Sequence, residues 1–263
     1  MLAIGDVVGE GGVEWIKKNL WRVRSEYKVD FAVANGENCA KGNGIDAASA
    51  KAMLDGGVDV ITTGNHVWRQ RDIYPFLDEC PYILRPANFP PECPGRGYAV
   101  VKLGGYKILF VNLMGSMYME PGLACPFMTA QSIVERERGS FDFAAADFHA
   151  EATSEKAAMG AYLDGMAATL APARFAAVFG THTHVQTSDA RVLANGAGFI
   201  TDLGMTGPRD SVIGVNTEAA LKKFITKMPV QFKTSDNPVV FEGALFRIVL
   251  PEFKSVAVEA VRI

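Results

Sequence analysis

The sequence is poor in cysteine, and its four cysteines are widely spaced. Cys39, Cys80, Cys93 and Cys125 form no C-x-x-C pair. Four thiols in 263 residues are too sparse for the disulfide framework that staples small secreted domains. We therefore predict reduced thiols in a cytoplasmic protein. Cys39 is of interest only because its neighbour Asn38 is a candidate metal ligand.

Long apolar runs and a strong charge of one sign are also lacking. No apolar run reaches the roughly 18 residues that a membrane-spanning helix needs, so no such helix is predicted. Residues 1–6 lack the basic and apolar regions of a signal peptide, so none is expected. The net charge of −3 provides no strong positive field, and we predict no stable binding of nucleic acid. This charge does not exclude small phosphate-containing substrates.

The order of apolar patterns indicates an α/β protein. Apolar residues make up 49% of the chain, which is ordinary for a globular protein with a sizeable core. Short runs rich in Val, Ile and Phe alternate with helical patterns, as in an α/β sheet. The candidate strands are Ala3-Ile4, Phe31–Ala34, Val58–Thr62 and Tyr106–Asn112. With no repeat and no linker in view, residues 1–263 are predicted to form one domain.

Three helices are predicted between and after these strands. The first carries an apolar stripe over Val13–Val23, the second is capped by Asp46 and ends at Gly56-Gly57, and the third covers Ser154–Leu170. Residues 81–97 and 114–139 lack periodicity and are predicted to be irregular, the latter passing over a site. The stretches Gly243–Leu250 and Ser255–Arg262 are predicted to form a closing antiparallel hairpin.

Histidine is scarce, and the positions of its four copies are informative. His66, His149, His182 and His184 each lie just after a strand-like run, beside Gly, Asn, Asp or Thr. In open α/β sheets, ligands bind outside the carboxyl ends of the strands, where such side chains converge on one crevice. The four imidazoles are therefore predicted to share a site.

Two of the histidines are separated by one residue. Gly180–His184 follows the apolar run Phe175–Phe179, and on an extended segment His182 and His184 point the same way. The alternative is a pair of strand-end histidines held by backbone hydrogen bonds. A single histidine would favour that alternative, but the pair favours binding to one metal cluster.

At the other two histidines the functional signal is weaker when each is taken alone. Asn65 offers an amide oxygen to a metal ion, and the adjacent His66 points elsewhere as a candidate proton donor. Gly-Asn is also a common turn pair. His149 lies in Asp147–Glu151, which in isolation is about equally well interpreted as a cluster that caps the third helix.

Carboxylates follow the first two strands. Asp6 and Glu37 are costly at strand ends unless they are solvated, paired or bound to a metal. An Asx-turn is the alternative for Asp6. For Glu37 no comparable alternative exists, because Asn35 and Asn38 surround it with further oxygen ligands.

These strand ends together offer carboxylates, amide oxygens and imidazoles. Mixed nitrogen and oxygen ligation suits Fe, Mn, Zn or Co better than Mg or Ca. The number of ligands exceeds what one ion needs and fits two ions bridged by a carboxylate.

At these residues the sequence resembles a known family. The matching segments are Gly5–Gly9, Asn35–Asn38, Gly64–Trp68, Asp147–Lys156, Gly180–Thr187 and Thr201–Met205, in the family's order. They are similar to those of the YmdB family of calcineurin-like metallophosphoesterases, which are 2′,3′-cyclic-nucleotide 2′-phosphodiesterases. The wider superfamily usually has His where Val8 stands and Asp where Glu37 stands, and both departures are the narrower family's own pattern. A third departure is Gly11-Gly12-Val13, where the family tends to carry Pro-Gly-Arg.

The resemblance implies a four-layer α/β/β/α sandwich with two transition-metal ions at the ends of its sheets. It assigns Asp6, Glu37, Asn38 and His184 to one ion, and Glu37, Asn65, His149 and His182 to the other. Both ions are divalent or trivalent, with Fe or Mn preferred over Zn. A metal-bound hydroxide is expected to attack a small phosphodiester, while His66 acts as general acid and Asn65 contacts the phosphate.

The metal ligands leave other functions open. A phosphomonoesterase or a nuclease would use the same ligands, and the basic residues Lys41, Arg69, Arg71 and Arg85 are too scattered to decide. A non-catalytic regulator would use the metals for structure or partner binding, but it would not need an unligated His66. Cyclic nucleotides are the expected substrates, and the family is compatible with a homo-oligomer.

Overall fold

The structure is a computed structural model that describes residues 1–119 and 122–263. The strands of the described residues are β1 Leu2–Ile4, β2 Asp6–Val7, β3 Ala32–Asn35, β4 Val60–Thr62, β5 Ile83–Leu84, β6 Tyr98–Leu103, β7 Tyr106–Met114, β8 Phe143–His149, β9 Phe175–Thr181, β10 Arg191–Val192, β11 Gly198–Ile200, β12 Met205–Pro208, β13 Val239–Val240, β14 Glu242–Val249 and β15 Lys254–Arg262. The helices are α1 Gly9–Glu26, α2 Ala47–Asp55, α3 Ile73–Glu79, α4 Pro126–Arg136, α5 Thr153–Gly165, α6 Ala167–Leu170 and α7 Thr217–Thr226.

The strands form two large sheets and one small sheet. The first has the order β15-β14-β1-β3-β4-β5, and the second has the order β10-β11-β9-β8-β7-β6. Strands β1, β3, β4 and β5 are parallel, as are β7, β8, β9 and β11. The small sheet has the order β13-β12-β2, and Asp6 is the first residue of β2. Parallel strands within each large sheet direct their carboxyl ends to one edge.

The two large sheets pack face to face with helices outside them. Phe31, which directly precedes β3 of the first sheet, stacks on Phe110 of β7 in the second sheet, with ring centroids 5.1 Å apart. Outside the first sheet, α1 buries Ile16 and Leu20 in a second apolar layer. Outside the second sheet, α4 and α5 contribute a third layer, which includes Ile133. The predicted four-layer α/β/β/α sandwich is confirmed.

Local signals in the sequence account for some of the helix boundaries. The apolar stripe of α1 is buried as expected, and the helix extends beyond the predicted range in both directions. The Asp46 side chain caps α2 by accepting a hydrogen bond from the backbone N–H of Ser49, at 2.7 Å. After α2 the chain turns at Gly57, whose φ of 103° favours glycine. The third predicted helix is divided into α5 and α6 at Met166.

The segment 114–139 departs from the predicted irregular structure. It contains α4, which buries Ala130, Ile133 and Val134 against the second sheet. The apolar stripe is short and lies among Met, Thr, Gln and Ser, so its periodicity was weak, and packing against the sheet stabilises the helix. Earlier in the segment, Tyr118 and Met119 line a cavity beside Asn65. Glu120 and Pro121 lie outside the described residues.

The C-terminal hairpin forms as predicted and completes the first sheet. Strands β14 and β15 are antiparallel neighbours, and β14 also pairs with β1 through Leu2 and Leu245. No helix among the described residues combines the length and apolar character that crossing a membrane requires.

Candidate functional site

Strand ends from both large sheets and the small sheet meet at one edge of the sandwich. Asp6 begins β2, and Glu37 lies two residues after β3. His149 ends β8, and His182 directly follows β9. The sandwich therefore brings together side chains that are more than a hundred residues apart in the chain.

Glu37 lies at the centre of the cluster and is fully buried. Its Oε1 atom is 3.1 Å from Nδ1 of His66, and its Oε2 atom is 3.3 Å from Nε2 of His149. The Oε2 atom also accepts a hydrogen bond from the backbone N–H of His66, at 3.0 Å. One carboxylate thus contacts groups from two sides of the site, as a bridging ligand must.

His149 and His182 face each other beside Glu37. The Nε2 atom of His149 is 3.1 Å from Nδ1 of His182 and 3.0 Å from Oδ1 of Asn65. Ligand atoms of Glu37, His149 and His182 all lie within 4.8 Å of one another. These four side chains are the set expected around one ion.

Asp6, Asn38 and His184 lie on the other side of Glu37. The Nε2 atom of His184 is 3.2 Å from Nδ2 of Asn38 and 3.6 Å from Oδ1 of Asp6. The Nδ2 atom of Asn38 also donates to Oε1 of Glu37, at 3.0 Å. All seven residues that the sequence predicts as ligands, together with His66, therefore lie in one connected group.

The donor set fits cations, as two observations indicate. The buried Oδ1 atom of Asp6 has no hydrogen-bond partner in the described part of the chain. The Nε2 atom of His149 faces an oxygen of Asn65, an oxygen of Glu37 and a nitrogen of His182. Hydrogen bonding at one imidazole nitrogen cannot satisfy all three of these neighbours, and an unpaired buried carboxylate oxygen is costly. Cations bound among these atoms would satisfy both groups.

The electrostatics of the cluster agree with this fit. Burial raises the pKa of Asp6. Burial by itself would lower the pKa of His149, but the negative charges of Glu37, Asp6 and Asp147 raise it to about 9. Burial and the neighbouring His149 lower the pKa of His182 to about 3. The buried carboxylates thus favour positive charge at the position of His149.

A hydrogen-bonded support behind His149 was not predicted from the sequence. The Thr181 hydroxyl donates to Asp147, at 2.7 Å, and therefore accepts at 2.9 Å from Nδ1 of His149. This favours the tautomer with the proton on Nδ1 and leaves the lone pair of Nε2 directed into the cluster, as a metal ligand would need. Asp147 also accepts from Thr62 and Asn35. The alternative interpretation of residues 147–151 as a helix cap is wrong, because α5 has no side-chain cap there.

Gly64 is required by the close approach of the strand end to the cluster. A Cβ atom at this position would lie 2.2 Å from the His149 ring and 2.4 Å from Oε2 of Glu37. No side chain fits in that space. The Gly-Asn pair here therefore serves the site and does not only form a turn.

The segment that carries His182 and His184 is not extended, contrary to the prediction. Both residues have positive φ angles, 101° and 62°. The backbone N–H of His182 donates to Oδ2 of Asp6, and that of Thr183 donates to Asp202. Asp202 also forms a fully buried ion pair with Lys156, at 2.6 Å. These contacts stabilise a conformation that non-glycine residues rarely adopt.

Two further contacts at the histidines were missed. The Oε2 atom of Glu151 is 3.1 Å from Nε2 of His182. The carbonyl oxygen of Ile213 accepts a hydrogen bond from Nδ1 of His184, at 2.9 Å. Glu151 belongs to a motif that the sequence singled out, but no local signal points to a backbone carbonyl 29 residues away.

Two residues of interest lie in the core. Cys39 is fully buried, and burial raises the pKa of its thiol, which keeps it neutral. Val13, where the family tends to carry arginine, packs in the apolar layer under α1. Neither side chain contributes a polar group to the cluster.

Comparison with known proteins agrees with the geometry. The chain matches the YmdB-like protein family over residues 2–261. It is 40% identical over its full length to a 2′,3′-cyclic-nucleotide 2′-phosphodiesterase of Bacillus subtilis, of which it covers 96%. A crystal structure of a phosphatase from Mycoplasma pneumoniae is 32% identical, with a TM-score of 0.91 over 100% of this chain and 92% of that chain.

A more distant structure shows the fold alone. NAD nucleotidase of Haemophilus influenzae is 14% identical, with a TM-score of 0.58 over 96% of this chain and 49% of that chain. The predicted calcineurin-like fold and the predicted enzyme class, a hydrolase of phosphoester bonds, are confirmed. The chain belongs to the YmdB-like family.

Proposed function

We propose that the protein is a dinuclear-metal phosphodiesterase that hydrolyses small phosphodiesters, with 2′,3′-cyclic nucleotides as substrates. The observation that carries the proposal is the connected cluster around Glu37. It joins seven candidate ligands to His66, which the ligand assignment leaves free. The full-length similarity to a relative named for this activity supports the choice of substrate.

The proposed ligand sets follow the two sides of the cluster. Asp6, Glu37, Asn38 and His184 would hold one ion, and Glu37, Asn65, His149 and His182 the other. Mixed oxygen and nitrogen ligands favour Fe or Mn, with Zn as a weaker choice. Two such ions would lower the pKa of a bound water molecule and neutralise charge on the phosphate oxygens.

His66 is the proposed general acid. Its side chain is 23% exposed, so a substrate can reach it. The Nδ1 atom is engaged by Oδ1 of Asn38, at 3.0 Å, and by Glu37. The Nε2 atom is therefore the one available to a substrate oxygen. An imidazole nitrogen exposed in this way can donate a proton to an alkoxide leaving group.

The proposed reaction is hydrolysis of the bond between phosphorus and the ribose 2′-oxygen. An oxygen atom from water bonds to phosphorus, and the bond between phosphorus and the ribose 2′-oxygen breaks. The attacking water releases one proton to solvent, His66 donates its proton to the departing oxygen, and solvent then reprotonates His66. Asn65, whose amide oxygen contacts His149 and which lines a cavity beside the cluster, is the proposed contact to a phosphate oxygen.

We further infer that residues 1–263 act as one domain, because the two large sheets share a single apolar layer. A cytoplasmic location and a homo-oligomeric state stay predictions.

The decisive experiment couples elemental analysis of the purified protein to three parallel assays. The substrates are 2′,3′-cyclic AMP, a nucleoside monophosphate and a short RNA. We expect about two transition-metal ions per chain and a preference for the cyclic nucleotide. A preference for the monoester or for RNA would overturn the proposed substrate. Bound metal without turnover of any of the three would favour a non-catalytic regulator.

A further inference from the structure

Two cavities adjoin the cluster. The first, here called the His66 cavity, has a volume of about 530 Å³, and its lining includes His66, His184 and Phe232. The second, the Tyr118 cavity, has a volume of about 450 Å³, and its lining includes Asn65, Trp68 and Tyr118. Both volumes are in the range of small-molecule sites. The nucleoside part of a substrate would lie in one of them.

The position of His66, the proposed general acid, indicates which of the two cavities holds the nucleoside. Protonation of the departing ribose oxygen requires that oxygen within hydrogen-bond reach of the acid. His66 lines the first cavity and does not line the second. Because the departing oxygen belongs to the ribose, the ribose and its base lie on the side of the His66 cavity. This step rests on the proposed function.

The outer wall of the His66 cavity is tied to the cluster. Residues 213–215 and 232–234 form this wall. Two backbone hydrogen bonds join the two segments: the N–H of Asn216 donates to the carbonyl of Lys233, at 3.0 Å, and the N–H of Ser235 donates to the carbonyl of Gly214, at 2.9 Å. The Ile213 carbonyl of the same wall accepts the hydrogen bond from His184. The wall is therefore held at a fixed place relative to the candidate metal site.

Phe232 is the aromatic residue that this wall presents to the cavity. Phe232 is 48% exposed as a residue, although a phenyl ring gains by burial. In the Tyr118 cavity, Trp68 is already packed edge-on against Tyr74 and Phe89, with centroids 5.6 and 5.4 Å away. Tyr118, at 85% exposure, is the only rival ring among the residues that line the two cavities.

We propose that the His66 cavity binds the nucleoside part of the substrate and that the nucleobase stacks on Phe232. Stacking on an aromatic ring tolerates any base, because each base has a π-face. The enzyme then distinguishes nucleotide substrates from small diesters without selecting a particular sequence or base.

The test compares two substrates that differ only in the base. The first is 2′,3′-cyclic AMP, and the second is methyl riboside 2′,3′-cyclic phosphate, which has a methoxy group in its place. We expect Phe232→Ala to lower the ratio of kcat/KM for the first to kcat/KM for the second by about tenfold. Phe232→Tyr should retain the ratio. The dissociation constant of 3′-AMP, measured by calorimetry, should rise by a similar factor in Phe232→Ala.

The matched control is Phe224→Ala on α7, which removes a phenyl ring that is 62% exposed and does not line the cavity. It should leave the ratio unchanged. A fall in the ratio for Tyr118→Ala in place of Phe232→Ala, or an equal fall for Phe224→Ala, would overturn the inference, as would no fall in any variant. If the unmodified protein hydrolyses neither substrate, the proposed function itself fails, and the inference fails with it.

Discussion

Glu151 and His182 are in contact through the imidazole nitrogen that faces away from His149. The Oε2 atom of Glu151 is 3.1 Å from Nε2 of His182, and Nδ1 of the same ring is 3.1 Å from Nε2 of His149. A carboxylate that accepts the Nε2 proton fixes the tautomer, so Nδ1 presents its lone pair to the cluster. Glu151 is therefore expected to position a metal ligand, although its side chain is half-exposed.

Replacement of this carboxylate should weaken metal binding. We expect Glu151→Gln to lower the affinity of the ion beside His182 by about 10- to 100-fold, as is usual when an outer partner of a ligand is lost. Competition with a chelator of known affinity measures the change. Glu218→Gln, an exposed carboxylate in the first turn of α7, is the control and should have no effect. Equal affinities in both variants would contradict a positioning role.

Loss of the His66 imidazole should separate turnover from metal content. We expect His66→Ala to keep both ions and to lose activity by roughly 10²-fold or more, because a general acid contributes about that factor. Elemental analysis and steady-state kinetics on one preparation measure both quantities. In contrast, His182→Ala should lose metal. Unchanged activity in the first variant, or full metal occupancy in the second, would show that the roles are misassigned.

A methyl group at Gly64 should exclude metal while the fold persists. The added Cβ would lie 2.2 Å from the His149 ring and 2.4 Å from Glu37, so these ligands must move apart. We expect Gly64→Ala to retain its circular dichroism spectrum and to lose most of its metal and activity. Gly165→Ala is the matched control, since nothing lies within 4 Å of a Cβ there. Normal metal content in Gly64→Ala would contradict the described geometry.

The buried ion pair beneath the histidine segment should contribute to stability. Lys156→Met leaves the Asp202 carboxylate buried without its partner, which typically costs about 3–5 kcal/mol of unfolding free energy. Urea denaturation measures the loss. The exposed pair of Lys17 and Glu14 provides the control, and Lys17→Met should leave the stability nearly unchanged. Similar losses in the two variants would contradict this account.

The sequence predicts the ends of the strands better than the contacts between them. Apolar periodicity located β3, β4 and β7, and scarce polar residues after such strands indicated a shared site. The support of His149 by Thr181 and Asp147 depends on the pairing of β8 with β9, which no local pattern encodes. The helix α4 was missed because tertiary packing of a short stripe stabilises it. The positive φ angles of His182 and His184 follow from contacts with distant carboxylates.

The pairing of β1 with β14 has a consequence for how the protein matures during synthesis. The backbone N–H of Asp6 donates to the carbonyl of Gly204, and that of Gly5 donates to the carbonyl of Glu242, each at about 3 Å. The backbone around Asp6 is therefore held in place only after Gly204 and Glu242 have been synthesised. Nascent chains and C-terminal truncations should remain metal-free, and folding should be slow relative to a chain of local contacts.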